Sequence, residues 1–489
     1  MGNLRRILGG TLALLLITGE ASAQDILQMF LPGGPEYRLI GGNPFSSVRS
    51  DANGSSGIES KAFVRYDGRI DNYYGELRTD GTAPRLGGRL HSLSLQLPLK
   101  SGARVGLAAQ SRELLSEARN TSDQLMNYDN SLKVIRLSYE TPLFGSTSWN
   151  LILGHSNASG ALLQDVGTSI AFRAPIGSLA LNVERSTSSQ ELNIAVAGVQ
   201  GLLPLDHQST EVSVRLQSEG ENPRIVMRGF QKAISPIPDG ANRHFLRFSP
   251  GGIVLGWESL LEAPLGSSWK GMVSFTGLAF NGAGTFSAAG SQYGLLRHAA
   301  YRDISAAAGL ITVGPSGSMF VADCKYIVVE GSFDGYAESW PFVSAMESLF
   351  SQRGNFQVTG SFRLAQIHAG GMMPVASWLE LGGGLTAMRM TPALRVESWQ
   401  AGLFGTGRRG YSDRRLSIDQ VDGAMLSGGL RVHVGKVRVD YSISQFIPVT
   451  LHKSAPTGGT EDLFTPALPG AVVRSWGGLF QSMSVEVEM

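Results

Sequence analysis

The sequence predicts an all-β fold, a large antiparallel transmembrane β-barrel of roughly 16–22 strands, with about 18 as the best figure. Three observations predict it. The stretch from Leu479 to Met489, LFQSMSVEVEM, places Met483, Val485, Val487 and Met489 on one face of a strand and Ser482, Ser484, Glu486 and Glu488 on the other. A strand alternates faces at every residue, so this is a ribbon with one apolar and one polar side. The same two-faced pattern recurs along the chain. The N-terminus carries an export signal, and no later segment is long and apolar enough for a membrane helix, which leaves only a closed barrel as a spanning structure.

Residues 1–23 read as the signal peptide. Arg5 and Arg6 form its positive end, residues 7–19 its apolar stretch, and Ala21-Ser22-Ala23 the small residues before cleavage. Residues 24–58 are rich in Gly, Ser, Asn and Pro, and are expected to be a flexible lead-in or a partial plug. The barrel is expected over 59–489, with no linker or composition shift to divide it.

Paired segments give the register. In 428–443, GGLRVHVGKVRVDYSI, a two-residue Gly435-Lys436 turn pairs Val434 with Val437, Val432 with Val439 and Leu430 with Tyr441 on an apolar face. The other face pairs His433 with Arg438 and Arg431 with Asp440, the latter an opposite-charge cross-strand pair. A second hairpin opposes Leu93, Leu95, Leu97 and Leu99 to Ala109, Leu107, Val105 and Ala103. A third joins Ile170, Phe172 and Ala174 to Leu179, Leu181 and Val183, with Arg173 and Asn182 on its polar face. Similar alternation appears at 132–140, 147–156, 210–218, 269–279, 355–366 and 394–404. Short turns near 100–102, 141–146, 175–178, 390–393 and 435–436 are expected on the periplasmic side. Longer connections near 112–131, 157–166, 405–423 and 447–473 are expected outside. The pattern is weakest between 280 and 350, where 336–350 reads as a short helix. Trp149, Trp269, Trp378 and Trp476 fall near strand ends, as an interfacial girdle requires.

Composition narrows the function. The signal carries Arg5, Arg6 and Glu20, so its removal takes the 41 basic and 40 acidic residues to 39 each. A net charge near zero gives no support to nucleic-acid binding. One cysteine, Cys324, makes no internal disulfide, and the scattered histidines show no metal-ligand spacing. No cofactor, metal site or catalytic residue is expected. The 62 glycines suit a protein of turns and closely approaching strands.

These features together resemble outer-membrane β-barrel proteins of the porin-like class, and imply a bacterial outer-membrane location. The implied partners are outer-membrane lipid, small solutes and the barrel-assembly machinery, with a homo-oligomer or larger protein complex compatible with the fold. The stretch LILGHSNASG at 151–160 also resembles the His-x-Ser-Asn signature of outer-membrane phospholipases and lipid A deacylases. Here, however, His155 and Ser156 are adjacent, and a regular strand points them to opposite faces. On the polar strand faces, Arg136, Arg173, Arg215, Arg363, Arg395, Arg431, His433, Arg438 and Asp440 are the expected lumen-lining set. The leading expectation is a channel for small polar or anionic solutes. The alternatives are a closed barrel anchoring a surface or secretion complex, a lipid hydrolase, and a secreted β-rich protein outside any membrane. A continuous lipid-facing apolar band would exclude the last.

Overall fold

Two-residue periodicity resolves into strands that are longer than a membrane is thick. The computed structural model describes residues 62–489, apart from 78–84, 120–124, 145–146, 159–160, 175–176, 197–198, 219–222, 237–245, 289–290, 315, 338–353, 402–407, 416–417, 454–460 and 463–472. In chain order the strands are β1 (Phe63–Leu77), β2 (Arg85–Pro98), β3 (Arg104–Arg119), β4 (Leu125–Pro142), β5 (Thr147–Ala158), β6 (Ala161–Ala174) and β7 (Gly177–Val196). There follow β8 (Val199–Ser218), β9 (Arg224–Pro236), β10 (Leu246–Pro264), β11 (Trp269–Ala288), β12 (Ser291–Val313), β13 (Met319–Ala337) and β14 (Gly354–Ala376). The last are β15 (Leu379–Ala401), β16 (Arg408–Arg415), β17 (Ile418–Val434), β18 (Val437–Lys453), the two-residue β19 (Glu461–Asp462) and β20 (Val473–Glu488).

Apart from the two-residue β19, which pairs parallel with β16 and is not counted in the wall, the strands pair antiparallel in chain order, and β20 returns to pair with β1 from Phe63↔Glu488 to Leu77↔Val473. β16 and β17 lie end to end along β15 and count as one interrupted strand. The wall is therefore a closed barrel of 18 antiparallel strands. The expected hairpin registers hold: Val434↔Val437, Val432↔Val439 and Arg431↔Asp440 across Gly435, whose φ is +60°. Leu93↔Ala109, Leu95↔Leu107 and Leu97↔Val105 hold likewise.

One face of this wall is a belt of exposed apolar side chains, including Ile135, Leu137, Leu153, Ile170, Phe172, Leu181, Val214, Leu255, Phe275, Ile367, Leu385, Leu426, Ile443 and Met483. A tilted strand rises about 2.5 Å per residue along the barrel axis, so the ~25 Å apolar band takes about ten residues. The outward faces obey that length. Counting from the short turns, apolar residues give way to charge at Arg302 on β12, Glu330 on β13, Arg363 on β14, Arg389 on β15 and Asp422 on β17. These five positions form a level line around one side of the barrel. Above it the strands continue as a barrel extension outside the membrane.

That extension corrects several expectations. The described residues of 112–131, 157–166 and 405–423 are strand, because paired ladders satisfy the backbone where long loops were expected; of 447–473, residues 447–453, 461–462 and 473 are strand and the rest lie outside the described residues. No reversal occurs at 390–393: Met390 to Ala393 pair continuously with Leu364 to Ser361, and the chain turns instead at Ser377-Trp378. Pro392 explains the misleading signal. The ladder on its other side stops at Met390↔Val421 and resumes at Arg395↔Arg415, so Pro392, which has no N–H, sits at the gap. The weak-looking region 280–337 forms full strands of 20, 23 and 19 residues at β11, β12 and β13. Its Ala-rich stretch at 306–308 has low strand propensity, and pairing on both sides overrides it. Residues 338–350 of the expected helix, the signal peptide and 24–58 lie outside the described residues. Tyr336 and Ala337 end β13.

Aromatic rings cover glycines across the ladders. Phe230 lies over Gly256, its directly paired residue, and Trp257 over Gly277, also paired. Each ring fills the space where a Cβ would stand, which pins the local register.

Candidate functional site: the inner wall

The inward face has three regions. The first is a ring of charge at the end of the barrel that carries the short turns. It includes Arg431 Nε donating to Asp440 Oδ1 at 2.7 Å, Arg431–Glu380 at 3.5 Å, His433–Glu380 at 3.5 Å, and Arg438–Glu486 at 3.0 Å. Around the ring follow Arg65–Glu486 at 3.8 Å, Arg104–Glu140 at 3.9 Å, Arg136–Glu184 at 3.2 Å, Arg228–Glu211 at 2.7 Å and Lys270–Glu262 at 3.2 Å. All lie within about seven residues of a short turn or of the β20–β1 seam's lower end, because inward alternation brings a polar residue there from nearly every strand. Asp440 is 4% exposed and Arg431 8%. A charge so far removed from water requires an opposite partner, and each has one.

The second region is the polar arc of β1–β9, with Ser169, Asn182, Ser209, Ser213 and Arg215 inward. Here the wall bends sharply. β4 and β7 approach each other although β5 and β6 separate them in the sheet, and Arg136 reaches Glu184 across that bend. Gly154, paired with Arg136, and Gly167, paired with Glu184, supply inward positions at the corner, and a side chain at Gly167 would meet those of Glu184 and Ile152. Beside the bend lies a recess of about 70 Å³ with Gln96, Arg104, Arg136, Glu140 and Asn150 in its lining.

The third region is apolar. Above the charge ring on β10–β20 the inward residues form one continuous cluster, with Phe333, Ile327, Leu364, Met390, Val358 and Val396 at its buried centre. A smaller cluster of Val226, Leu260, Met272, Ile311 and Val321 lies lower on the same side. Between the two runs a polar row: Asp323 on β13, His368 on β14 and Thr386 on β15, each directly paired with the next. His368 Nδ1 lies 2.9 Å from Asp323 Oδ2.

The structure divides the expected lumen set. Arg136, Arg215, Arg431, His433, Arg438 and Asp440 share the inward face, and Arg173 has the same parity near the end of β6. Arg363 and Arg395 do not. Leu364 and Val396, their neighbours, are the buried inward residues, so both arginines face outward, above the apolar belt. Arg395 binds Asp413 at 3.0 Å and Glu397 at 2.9 Å there, and Tyr411 donates to Glu397. The error has a physical cause: within the membrane the polar face of a strand is the inner one, but beyond the lipid the outer face is wet and the inner one can be apolar. Sequence reasoning missed Glu380, Glu486, Asp323, His368 and Thr386. Their inward parity was readable, but their juxtaposition across strands was not.

The ladder through His155 and Ser156 is unbroken on both sides, with Ile135↔His155 and His155↔Gln164. His155 thus shares the outward face of Leu153, and no bulge brings the next residue beside it. Trp269 and Trp378 are exposed at the short-turn end, and Trp149 lies near the same end with its indole N–H donating to Thr168 at 2.8 Å. Trp476 lies in β20 near its other end. No group of three or more potential metal ligands occurs among the described residues.

A closed barrel wrapped in such a belt sits in the bacterial outer membrane, and the belt excludes a β-rich protein that never meets lipid. No protein-family model and no curated protein matches the sequence. Among solved structures the chain is similar to a mutant of the monoaromatic hydrocarbon channel TodX, at 12% identity over 94% of this chain and 99% of that one, with a TM-score of 0.39. It is similar to OccAB3 of Acinetobacter baumannii, at 11% identity over 88% and 99% with a TM-score of 0.37. It is also similar to OpdK of Pseudomonas aeruginosa, solved with vanillate, at 8% identity over 87% and 99% with a TM-score of 0.33.

Proposed function

We propose that this protein is an outer-membrane channel for small amphipathic solutes, molecules with an apolar body and one polar end. The observation that carries the reading is the division of the inner wall into a polar arc on β1–β9 and an apolar face on β10–β20, joined at the base by a ring of paired charges. An apolar pathway with a few placed polar groups is the usual character of a small-molecule site. Simple anion selectivity fits less well. Of the arginines that suggested it, Arg136, Arg431 and Arg438 carry carboxylate partners at Glu184, Glu380, Asp440 and Glu486, so the mouth offers both signs.

The test is swelling of liposomes that contain the folded protein, in isotonic phenylalanine or in arabinose, two impermeant solutes of similar size. Faster entry of phenylalanine supports the reading, and equal or faster entry of arabinose refutes it. No entry of either supports the second reading, a closed anchor, which the dense burial of the inward apolar side chains favours.

A further inference from the structure

The row Asp323–His368–Thr386 is a buried polar interruption between two apolar clusters of the inner wall. We infer that it is a recognition notch for a hydroxyl group on the solute's apolar body, an inference that rests on the channel reading above. The carrying observation is Thr386. It is 4% exposed, and its Oγ1 is buried with no hydrogen-bond partner. A hydroxyl taken from water and left unpaired is costly, and retention of one inside an apolar wall calls for an occupant. Directly beside it stands His368, 3% exposed, whose ring is held on its Nδ1 side by Asp323. A carboxylate on one ring nitrogen fixes the orientation of the imidazole, as in sites where histidine must meet a ligand in one pose.

The surroundings fit an amphipathic occupant. Met388 and Leu364 stand above the row, Met372 and Val321 below it, and Met425 is the paired neighbour of Thr386 on β17. Methionines are unbranched and soft, so they repack around guests of different shape. Lys325 and Gln366 face inward two residues along from Asp323 and His368 and keep the upper side of the notch polar. An aromatic ring would lie among the methionines while its hydroxyl accepts from Thr386 and meets the His368 imidazole. The ligand class is therefore a hydroxylated aromatic or other apolar-bodied alcohol, in preference to its deoxy analogue.

Uptake of radiolabelled tyrosine and phenylalanine into proteoliposomes tests this, since the pair differs by one hydroxyl. The wild type is expected to half-saturate with tyrosine at about tenfold lower concentration, the ratio that one well-placed hydrogen bond supplies. Thr386→Val keeps the shape and removes the hydroxyl; it is expected to abolish the preference for tyrosine. Thr386→Ser is expected to keep the preference, which separates recognition from a folding defect. An unchanged tyrosine-to-phenylalanine ratio in Thr386→Val, with phenylalanine still faster than arabinose, overturns the notch and leaves the channel reading intact. Failure of both amino acids to enter overturns the two together.

Discussion

Replacement of Asp440 by Asn tests the charge ring where it is most buried. Asp440 is 4% exposed and receives Arg431 Nε at 2.7 Å, with Arg438 Nε at 3.5 Å. Loss of one partner of a buried ion pair costs about 3–5 kcal/mol, because the other charge stays behind without compensation. Two features lower the figure here. Arg431 keeps Glu380 at 3.5 Å, and an asparagine oxygen still accepts one hydrogen bond. The expected loss is about 2–3 kcal/mol. With a urea m-value of about 3 kcal/mol per molar, the unfolding midpoint falls by roughly 0.7–1 M, read from tryptophan fluorescence in detergent. The double variant Asp440→Asn/Arg431→Met removes both charges and is expected to recover at least half of that loss. An unchanged midpoint in the single variant, or a double variant that loses the sum of its parts, refutes the claim that burial makes this pair obligatory.

Other expectations follow from the same geometry. Arg438→Gln leaves Glu486 in excess at the mouth and should shift single-channel ion selectivity toward cations, by up to about fivefold; Arg363→Gln, which faces outward, should leave selectivity unchanged. Leu364→Ala at the centre of the inner cluster, where Leu364 is 0% exposed, should cost about 2–5 kcal/mol in the same urea assay, and a negligible cost would show that this wall is not packed. Gly256→Val forces Phe230 off its paired glycine and should cost about 1–3 kcal/mol, seen as a lowered midpoint. The hydrogen bond from Arg395 holds the Asp413 carboxyl below the usual carboxylate range. Its contribution is full above the unfolded value near 3.9 and fades as pH falls through the lower folded value, so protease protection of the β15–β16 extension should weaken only in strong acid. Arg395→Gln should remove that pH dependence.

The hairpin around Gly435 was legible because three independent signals converge there: a turn glycine, an apolar stripe and the Arg431–Asp440 pair. Closure into a barrel was legible for the same reason, since alternation recurs where no membrane helix exists. The side of the wall to which a polar residue turns was not legible from alternation alone. Arg431 and Arg395 sit in equally regular patterns, yet one faces inward beside the short turn and the other outward beyond the lipid. Height along the barrel decides between them, and height depends on where the chain turns. A turn placed at 390–393 instead of 377–378 moves Arg395 into the membrane. The Asp323–His368–Thr386 row was hidden for another reason. Its members belong to three strands, and only the register of those strands brings them side by side.

The seam between β1 and β20 has a consequence for how the protein comes into being. Residues from opposite ends of the barrel sequence meet there along the whole of β1. Until β20 arrives, every earlier strand can be paired and the sheet still has two unpaired borders, which neither lipid nor a neighbouring strand satisfies. The contact that removes both borders is also the most distant in sequence and the slowest to find. Biogenesis therefore has an all-or-nothing last step. Deletion of 473–489 should cost far more than one strand's share of stability, because it leaves a folded sheet that cannot live in a membrane.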